Sequence, residues 1–210
     1  MKQLIIIGAR GFGREIYNLA LQCKGYKNNF EIKGFIDDNK DALRKFDNYP
    51  PIIDSVENYK PSREDVFICA IGDVLYKKKY INLILNKGGK FISLIHPSAV
   101  IDQNAQIGDG CIILQNATVG SGAIVGNFVL IQISTIIAHD VSIGNFSRID
   151  CQVVCTGGSI INEDVTIHTS AVINQNITIE KGACVGSGSF VIRRVKEFTT
   201  VYGNPAIKLK

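Results

Sequence analysis

From Ile95 onward the chain places an aliphatic residue at every sixth position: residues 95, 101, 107 and so on to 191 are all Ile or Val except Cys155. Four residues after each stands a small or β-branched residue, as at Ala99, Ala105, Ala117, Ala123, Thr135, Val141, Ser147, Val153 and Ala171. A period of six matches neither the 3.6-residue repeat of a helix face nor the strict alternation of a hairpin sheet. Three hexads per turn satisfy it. Each hexad is then one short strand plus a corner, with the Ile or Val packed inside a triangular prism and the small residue filling the corner. The seventeen hexads build about 5.7 coils, and a strand spacing of roughly 4.8 Å makes the prism about 27 Å tall.

The first half follows another rhythm. Leu4 to Ile7 is an unbroken apolar run, Gly8-Ala-Arg-Gly-Phe-Gly13 is a glycine turn, and Arg14 to Leu21 is an amphipathic stretch carrying Ile16, Tyr17, Leu19, Ala20 and Leu21. A second strand, Ile32 to Ile36, ends in Asp37-Asp38. A third, Val66 to Ile71, ends at Gly72-Asp73 ahead of a helix from Val74 to Asn86. The pattern predicts a small parallel α/β, Rossmann-like domain over residues 1–94, with its ligand at the carboxyl ends of the strands, and a separate all-β domain over residues 95–210.

The glycines are spaced G-x-x-G-x-G rather than G-x-G-x-x-G, and no second mononucleotide half follows, so a single nucleotide suits the turn better than a dinucleotide. Backbone N–H groups around Gly11 at a helix start can meet phosphate oxygens, and a carboxylate at the next strand end can accept hydrogen bonds from a base or ribose. Taken alone, the same glycines also suit a tight turn with no ligand. Lys77-Lys78-Lys79 reads as a solvated helix face, with phosphate contact as the alternative.

Composition agrees with a layered aliphatic core: 46% of the 210 residues are hydrophobic, yet there is no Trp and one Met. No apolar run approaches the roughly 18 residues of a membrane span, and the opening run is too short for a signal-peptide core, so the expected location is the cytoplasm. Residues 1–94 hold 16 Lys/Arg against 11 Asp/Glu and residues 95–210 hold 7 against 8, so the net charge of +4 comes from the first half and is too mild for nucleic-acid binding. Of the six cysteines, Cys151 and Cys155 have a C-x3-C spacing that is not a zinc pair, and all are expected to be small core fillers rather than disulfides or metal ligands.

Candidate chemistry gathers at one corner of the repeat. Residues three hexads apart stack in adjacent coils, so His139-Asp140 has Ser121-Gly122 below it and Gly157-Gly158 above it. An imidazole can accept a proton, an adjacent carboxylate can orient it, and roughly 5 Å away a glycine corner offers room for an acyl group and an exposed N–H at Gly157 for a thioester carbonyl. A polar corner residue beside a tight turn is the alternative from spacing alone.

The hexads Ile107-Gly-Asp-Gly-Cys, Val119-Gly-Ser-Gly-Ala and Val185-Gly-Ser-Gly-Ser closely resemble those of the hexapeptide-repeat acyltransferases. The resemblance implies an all-β left-handed parallel β-helix and assembly as a homotrimer; the handedness is taken from it, being an exception to the usual crossover rule. The whole chain, closing with Tyr202-Gly-Asn-Pro-Ala206, is similar to the NeuD/PglD-type sugar acetyltransferases, in which an acidic residue directly follows the catalytic histidine. This implies His139 as general base, Asp140 as its orienter, acetyl-CoA as donor and the amine of a nucleotide-linked amino-deoxy sugar as acceptor, for surface polysaccharide or glycan biosynthesis. Arg10, Gly11 and Phe12 of the first loop, Asp37 and Asp38, and Gly72 nearby would hold the nucleotide.

Family members often have serine and histidine where this chain has Arg10 and Phe12, and a second histidine contacting acetyl-CoA where it has Arg148. The resemblance also places pantetheine in a groove between neighbouring prisms, with Gly157 facing it and Thr169 and Ser187 as contacts; ordinary corner residues are the alternative for the last two. His96, next to Pro97, reads as structural, and His168 as an outward residue without an acidic neighbour in sequence. A metal is not expected, since three histidines do not converge. Two rival readings are O-acetylation of a sialic-acid-like sugar and a non-catalytic nucleotide-binding trimer.

Overall fold

The computed structural model describes residues 1–209, which divide into two compact units, Met1–Pro97 and the described residues from Ser98 onward. The unit boundary lies three residues beyond the one expected from the repeat. No helix among the described residues is long and apolar enough to cross a membrane.

The first unit is a parallel sheet flanked by helices. Its elements are β1 (Lys2–Ile7), α1 (Gly11–Gln22), β2 (Phe30–Ile36), β3 (Ile52–Asp54), β4 (Asp65–Cys69), α2 (Val74–Asn86) and β5 (Lys90–Phe91). The strand order β3-β2-β1-β4-β5 is parallel throughout and turns back on itself between β1 and β4, which opens a crevice at the carboxyl ends of those strands. Leu4, Ile5, Ile6 and Ile7 are wholly buried, as a central parallel strand covered on both faces must be, and each contributes about 1.5–3 kcal/mol. Between β1 and α1 a β-carbon on Gly13 would stand 2.1 Å from the Gly8 carbonyl oxygen, so only glycine lets the helix start this close to the strand.

Lys77 corrects the solvated-face reading of the lysine run: it is 4% exposed. It shares a helix stripe with the buried Ile81 and Ile84, so its stem packs against the sheet. None of the three lysines lines the cavity described below.

The second unit is a left-handed parallel β-helix. Strands of two residues recur every six positions from Val100–Ile101 to Phe190–Val191, and each pairs in register with those three hexads away, as Val119 with Ile137 and Ile137 with Cys155. They form three sheets, the faces of a prism. The first face carries Val100, Thr118, Ile136, Val154, Val172 and Phe190 outward, the second begins at Gln106 and Ile124, and the third includes Ile112, Leu130, Arg148, Thr166 and Cys184. From Ile113 to Val191 every hexad Ile, Val or Cys is buried. The small corner residues pack beside them, and Thr135 and Ser147 satisfy their hydroxyls on the Asp150 and Asn162 carbonyls at 2.7 and 2.9 Å.

At each corner one residue takes the left-handed conformation. Every sixth residue from Gly110 to Gly188 has φ between +57° and +71°, including Asn116, Ser134, Asp140 and Asn176. Glycine, asparagine and aspartate tolerate this region best, which accounts for the polar corners. Phe128 and Phe146 also sit at such corners and stack with centroids 5.1 Å apart.

Candidate active site

Two sites take shape, one in each unit. In the first, a cavity of about 560 Å³ opens at the strand carboxyl ends, lined by Arg10 and Phe12 at the start of α1, by Asp37 and Asp38 after β2, by Gly72 after β4 and by Tyr76 and Tyr80 on α2. Of the residues expected to hold a nucleotide, only Gly11 does not line it. Arg10 caps α1 without a side-chain hydrogen bond and the first turn holds no acidic residue, so the helix N-terminus keeps its affinity for an anion.

The two aspartates also brace the cavity. Asp37 accepts hydrogen bonds from the Ala9 N–H and the Asn39 N–H, both at 2.8 Å. Asp38 accepts one from the Val56 N–H at 3.1 Å and one from the Tyr80 hydroxyl at 2.5 Å. The carboxylate beside it, with partial burial, pushes the Tyr80 phenol up to about 12. Each carboxylate oxygen retains a second lone pair for a ligand.

In the second unit, His139 and Asp140 project from the corner between the first and second faces. Nδ1 of His139 lies 2.8 Å from Oδ2 of Asp140, and both side chains are exposed. An ionised carboxylate can only accept, so Nδ1 carries the hydrogen and Nε2 presents its lone pair. Asp140 stands at φ +58°, which turns its side chain to meet the imidazole of the preceding residue.

The glycine corner one coil above is used differently from the expectation. Gly157 is buried, and a β-carbon there would stand 2.6 Å from both Cε1 and Nε2 of His139. The space freed by the missing side chain is therefore filled by the imidazole itself rather than left open for an acyl group. Above Gly158 the equivalent space is taken by the Asn176 carboxamide, whose Oδ1 would be 2.3 Å from a β-carbon. The Gly158 N–H donates to the His139 carbonyl at 3.1 Å, whereas the Gly157 N–H donates to no acceptor among the described residues. A basic nitrogen and an unused N–H thus stand side by side.

The other residues expected to contact acetyl-CoA lie elsewhere on the prism. Arg148 points from the third face, and Thr169 and Ser187 are exposed on the corner between the third and first faces. Within one chain none of them joins His139. Arg148 is engaged by Asp150, Nε to Oδ1 at 2.6 Å and Nη2 to Oδ2 at 3.1 Å.

His168 has no acidic neighbour in sequence, yet its Nδ1 lies 3.0 Å from Oδ2 of Asp150, one coil below. The partner stands three hexads away rather than next in line; the stacking rule that framed His139 would have found it. His96 holds Gln22 of α1 through Nε2 at 3.0 Å. None of the six cysteines is in a disulfide; Cys23, Cys69, Cys111 and Cys155 are buried as core fillers, whereas Cys151 and Cys184 are half-buried, and burial pushes the Cys69 and Cys155 thiols up to about 12.

Residues 3–84 match the PglD N-terminal domain family. No curated protein sequence matches the chain. Among solved structures, the acetyltransferase domain of PglB from Neisseria gonorrhoeae FA1090, in complex with acetyl coenzyme A, is 26% identical, covers 99% of both chains and superposes with a TM-score of 0.90. WeeI from Acinetobacter baumannii AYE is 26% identical over the full length of both chains, with a TM-score of 0.76. PerB from Caulobacter crescentus, in complex with CoA and GDP-perosamine, shares the fold at 19% identity, covering 100% of this chain and 98% of its own, with a TM-score of 0.88.

Proposed function

We propose that this chain is an acetyl-CoA-dependent N-acetyltransferase whose acceptor is the amine of a nucleotide-linked amino-deoxy sugar. The observation that carries the reading is the pairing of an Asp140-oriented His139 with the unused N–H of Gly157. Nε2 of His139 takes a proton from the sugar amine as its nitrogen attacks the thioester carbonyl. The Gly157 N–H meets the oxygen as it gains negative charge, the C–S bond then breaks, and the thiol of CoA leaves with a proton. Transfer is direct, without an acyl-enzyme.

The cavity of the first unit supports the acceptor class. A helix N-terminus suits a diphosphate, two carboxylates suit the donors of a base or ribose, and Tyr76 and Phe12 supply aromatic surface for a planar ring. A sialic-acid-like acceptor gives this cavity no task. The relatives support the donor, since the PglB domain is bound to acetyl coenzyme A. The reading places the protein in the cytoplasm, where acetyl-CoA and activated sugars are made, and as a homotrimer with sites shared between copies. Arg148, Thr169 and Ser187 then serve acetyl-CoA from a neighbouring copy.

The test is release of CoA thiol from acetyl-CoA in the presence of UDP-, GDP- and dTDP-linked amino sugars. Release should depend on one of them and fall at least about 100-fold in His139→Ala. An unimpaired variant, or no acceptor dependence, removes the reading.

A further inference from the structure

Asp150 is the one aspartate of the prism whose side chain is almost closed to solvent, at 6% exposure. It accepts from Arg148 twice, from Gln132 Nε2 at 3.2 Å and from His168 Nδ1 at 3.0 Å. Its charge is matched by the Arg148 guanidinium, so neutralisation does not require the histidine. What His168 gains is a fixed tautomer. With Nδ1–H on a carboxylate, Nε2 is left as an acceptor on a ring that is 38% exposed. This is the arrangement of His139 on Asp140, repeated at a second corner.

We propose that His168 is a substrate-binding residue, and that the substrate it binds is held at His139 of a neighbouring copy of this chain. Nε2 of His168 accepts a hydrogen bond there from an N–H or O–H of that substrate. The inference rests on the transfer reaction proposed above.

The geometry of the prism supports it. The first face lies between two corners, one carrying His139 and Asp140, the other carrying Asp150 and His168. Its outward column is mostly apolar, with Val100 and Ile136 at 56% and 44% exposure, and needs a cover. A closed ring of parallel prisms that meet through this face sets the His139 corner of each against the Asp150 corner of the next, because rotation about an axis along the prism exchanges the two edges. One edge carries the exposed Asp140 carboxylate and the other the Arg148–Asp150 pair. Heights agree as well. At roughly 4.8 Å per coil, Arg148 stands about 2 Å, Gly157 about 5 Å and His168 about 8 Å above the level of His139. A substrate reaching upward from Nε2 of His139 past Gly157 therefore comes level with His168.

The donor of that hydrogen bond is either an amide N–H of pantetheine or a hydroxyl of the sugar, and kinetics separate them. In His168→Ala the KM for one co-substrate should rise about 10-fold, with kcat within about 3-fold. A rise for acetyl-CoA assigns the amide, and a rise for the sugar assigns the hydroxyl. His168→Gln, which keeps a polar side chain on Asp150, guards against loss of fold and should show the same selective rise. Coexpression of His139→Ala with His168→Ala chains then tests the sharing. At low substrate the mixed assemblies should recover about a quarter of parental activity, since about one site in four pairs an intact His139 with an intact neighbouring His168. KM values within 2-fold of the parent in both His168 variants, or mixed assemblies no more active than the His168→Ala fraction they contain, overturn the inference while leaving the transfer reaction standing. A parent chain without acetyl transfer overturns both.

Discussion

The imidazole of His139 rests on the α-carbon of Gly157, so closely that a methyl group at that position would stand 2.6 Å from Cε1 and Nε2. Contacts that short do not occur, so in Gly157→Ala the ring must swing away. The ring is the end of an exposed side chain and moves cheaply, and the Gly157 backbone is not left-handed, so the fold should tolerate the methyl group. We expect Tm within about 3 °C of the parent and kcat down at least about 10-fold, the signature of a misplaced base in an intact protein. Parallel melting and initial-rate measurements check it, and full activity would show that the ring position is immaterial.

Asp140 has two tasks that substitutions can separate. Its carboxylate takes the hydrogen of His139 Nδ1, and its backbone holds φ +58°. Asparagine tolerates that backbone but offers an amide in place of the carboxylate, so Asp140→Asn should keep its Tm and lose about 10- to 100-fold in kcat. Asp140→Ala should lose similar activity and about 1 kcal/mol of stability besides, because alanine is strained at positive φ. Urea unfolding of both variants beside the rate assay makes the comparison.

The prism was legible because its period is rigid: the alternation of Ile or Val with a small residue four places on leaves few other folds. The left-handed corner residue of each hexad was less visible, since Phe128, Phe146 and Gln152 occupy it as well as glycine and asparagine. At the site, sequence adjacency revealed His139-Asp140, but Asp150 and His168 are joined by stacking and look unrelated when read along the chain. The room at Gly157 was misjudged for a different reason. Spacing says that a side chain is missing, and only coordinates say which neighbour moves into the gap. In the first unit, β3 and β5 escaped notice because two- and three-residue edge strands carry too little pattern to distinguish from loop.

Asp65 controls the acid limit of the first unit. Burial alone would raise its carboxyl, but hydrogen bonds from the Ser62 N–H at 2.7 Å, Lys33 at 2.9 Å and the Tyr59 hydroxyl at 2.8 Å outweigh it and hold the group below its ordinary value of 3.8. A depressed carboxyl contributes stability that is present above about pH 4 and is lost as pH falls through the folded-state value. In Asp65→Asn that contribution is absent at every pH. The variant should be less stable by roughly 2–3 kcal/mol at pH 7, and the gap should narrow below pH 4. Urea midpoints at pH 7 and pH 3 check the sign; an equal gap at both would exclude the carboxylate as its source.

The same network reaches the cavity. Lys87 Nζ donates to the Val56, Glu57 and Tyr59 carbonyls, so the segment after β3 is clamped from below, and the Val56 N–H in turn holds Asp38. Tyr80 closes the frame from α2 through its hydroxyl on Asp38. Tyr80→Phe removes one of the two donors that fix this carboxylate, and nucleotide affinity should fall about 5- to 10-fold, read as a smaller thermal shift at fixed ligand. With saturating sugar kcat should stay within about 2-fold of the parent, since the phenol takes no part in the transfer. The pH dependence follows from the phenol held up at about 12 against an ordinary 10. A raised folded-state value contributes stability that is complete below pH 10 and vanishes as pH rises through 12, so parent and variant should differ at neutral pH and converge in strong alkali. Equal stability of parent and variant at neutral pH instead would mean that the hydroxyl of Tyr80 is not bound to Asp38 in solution.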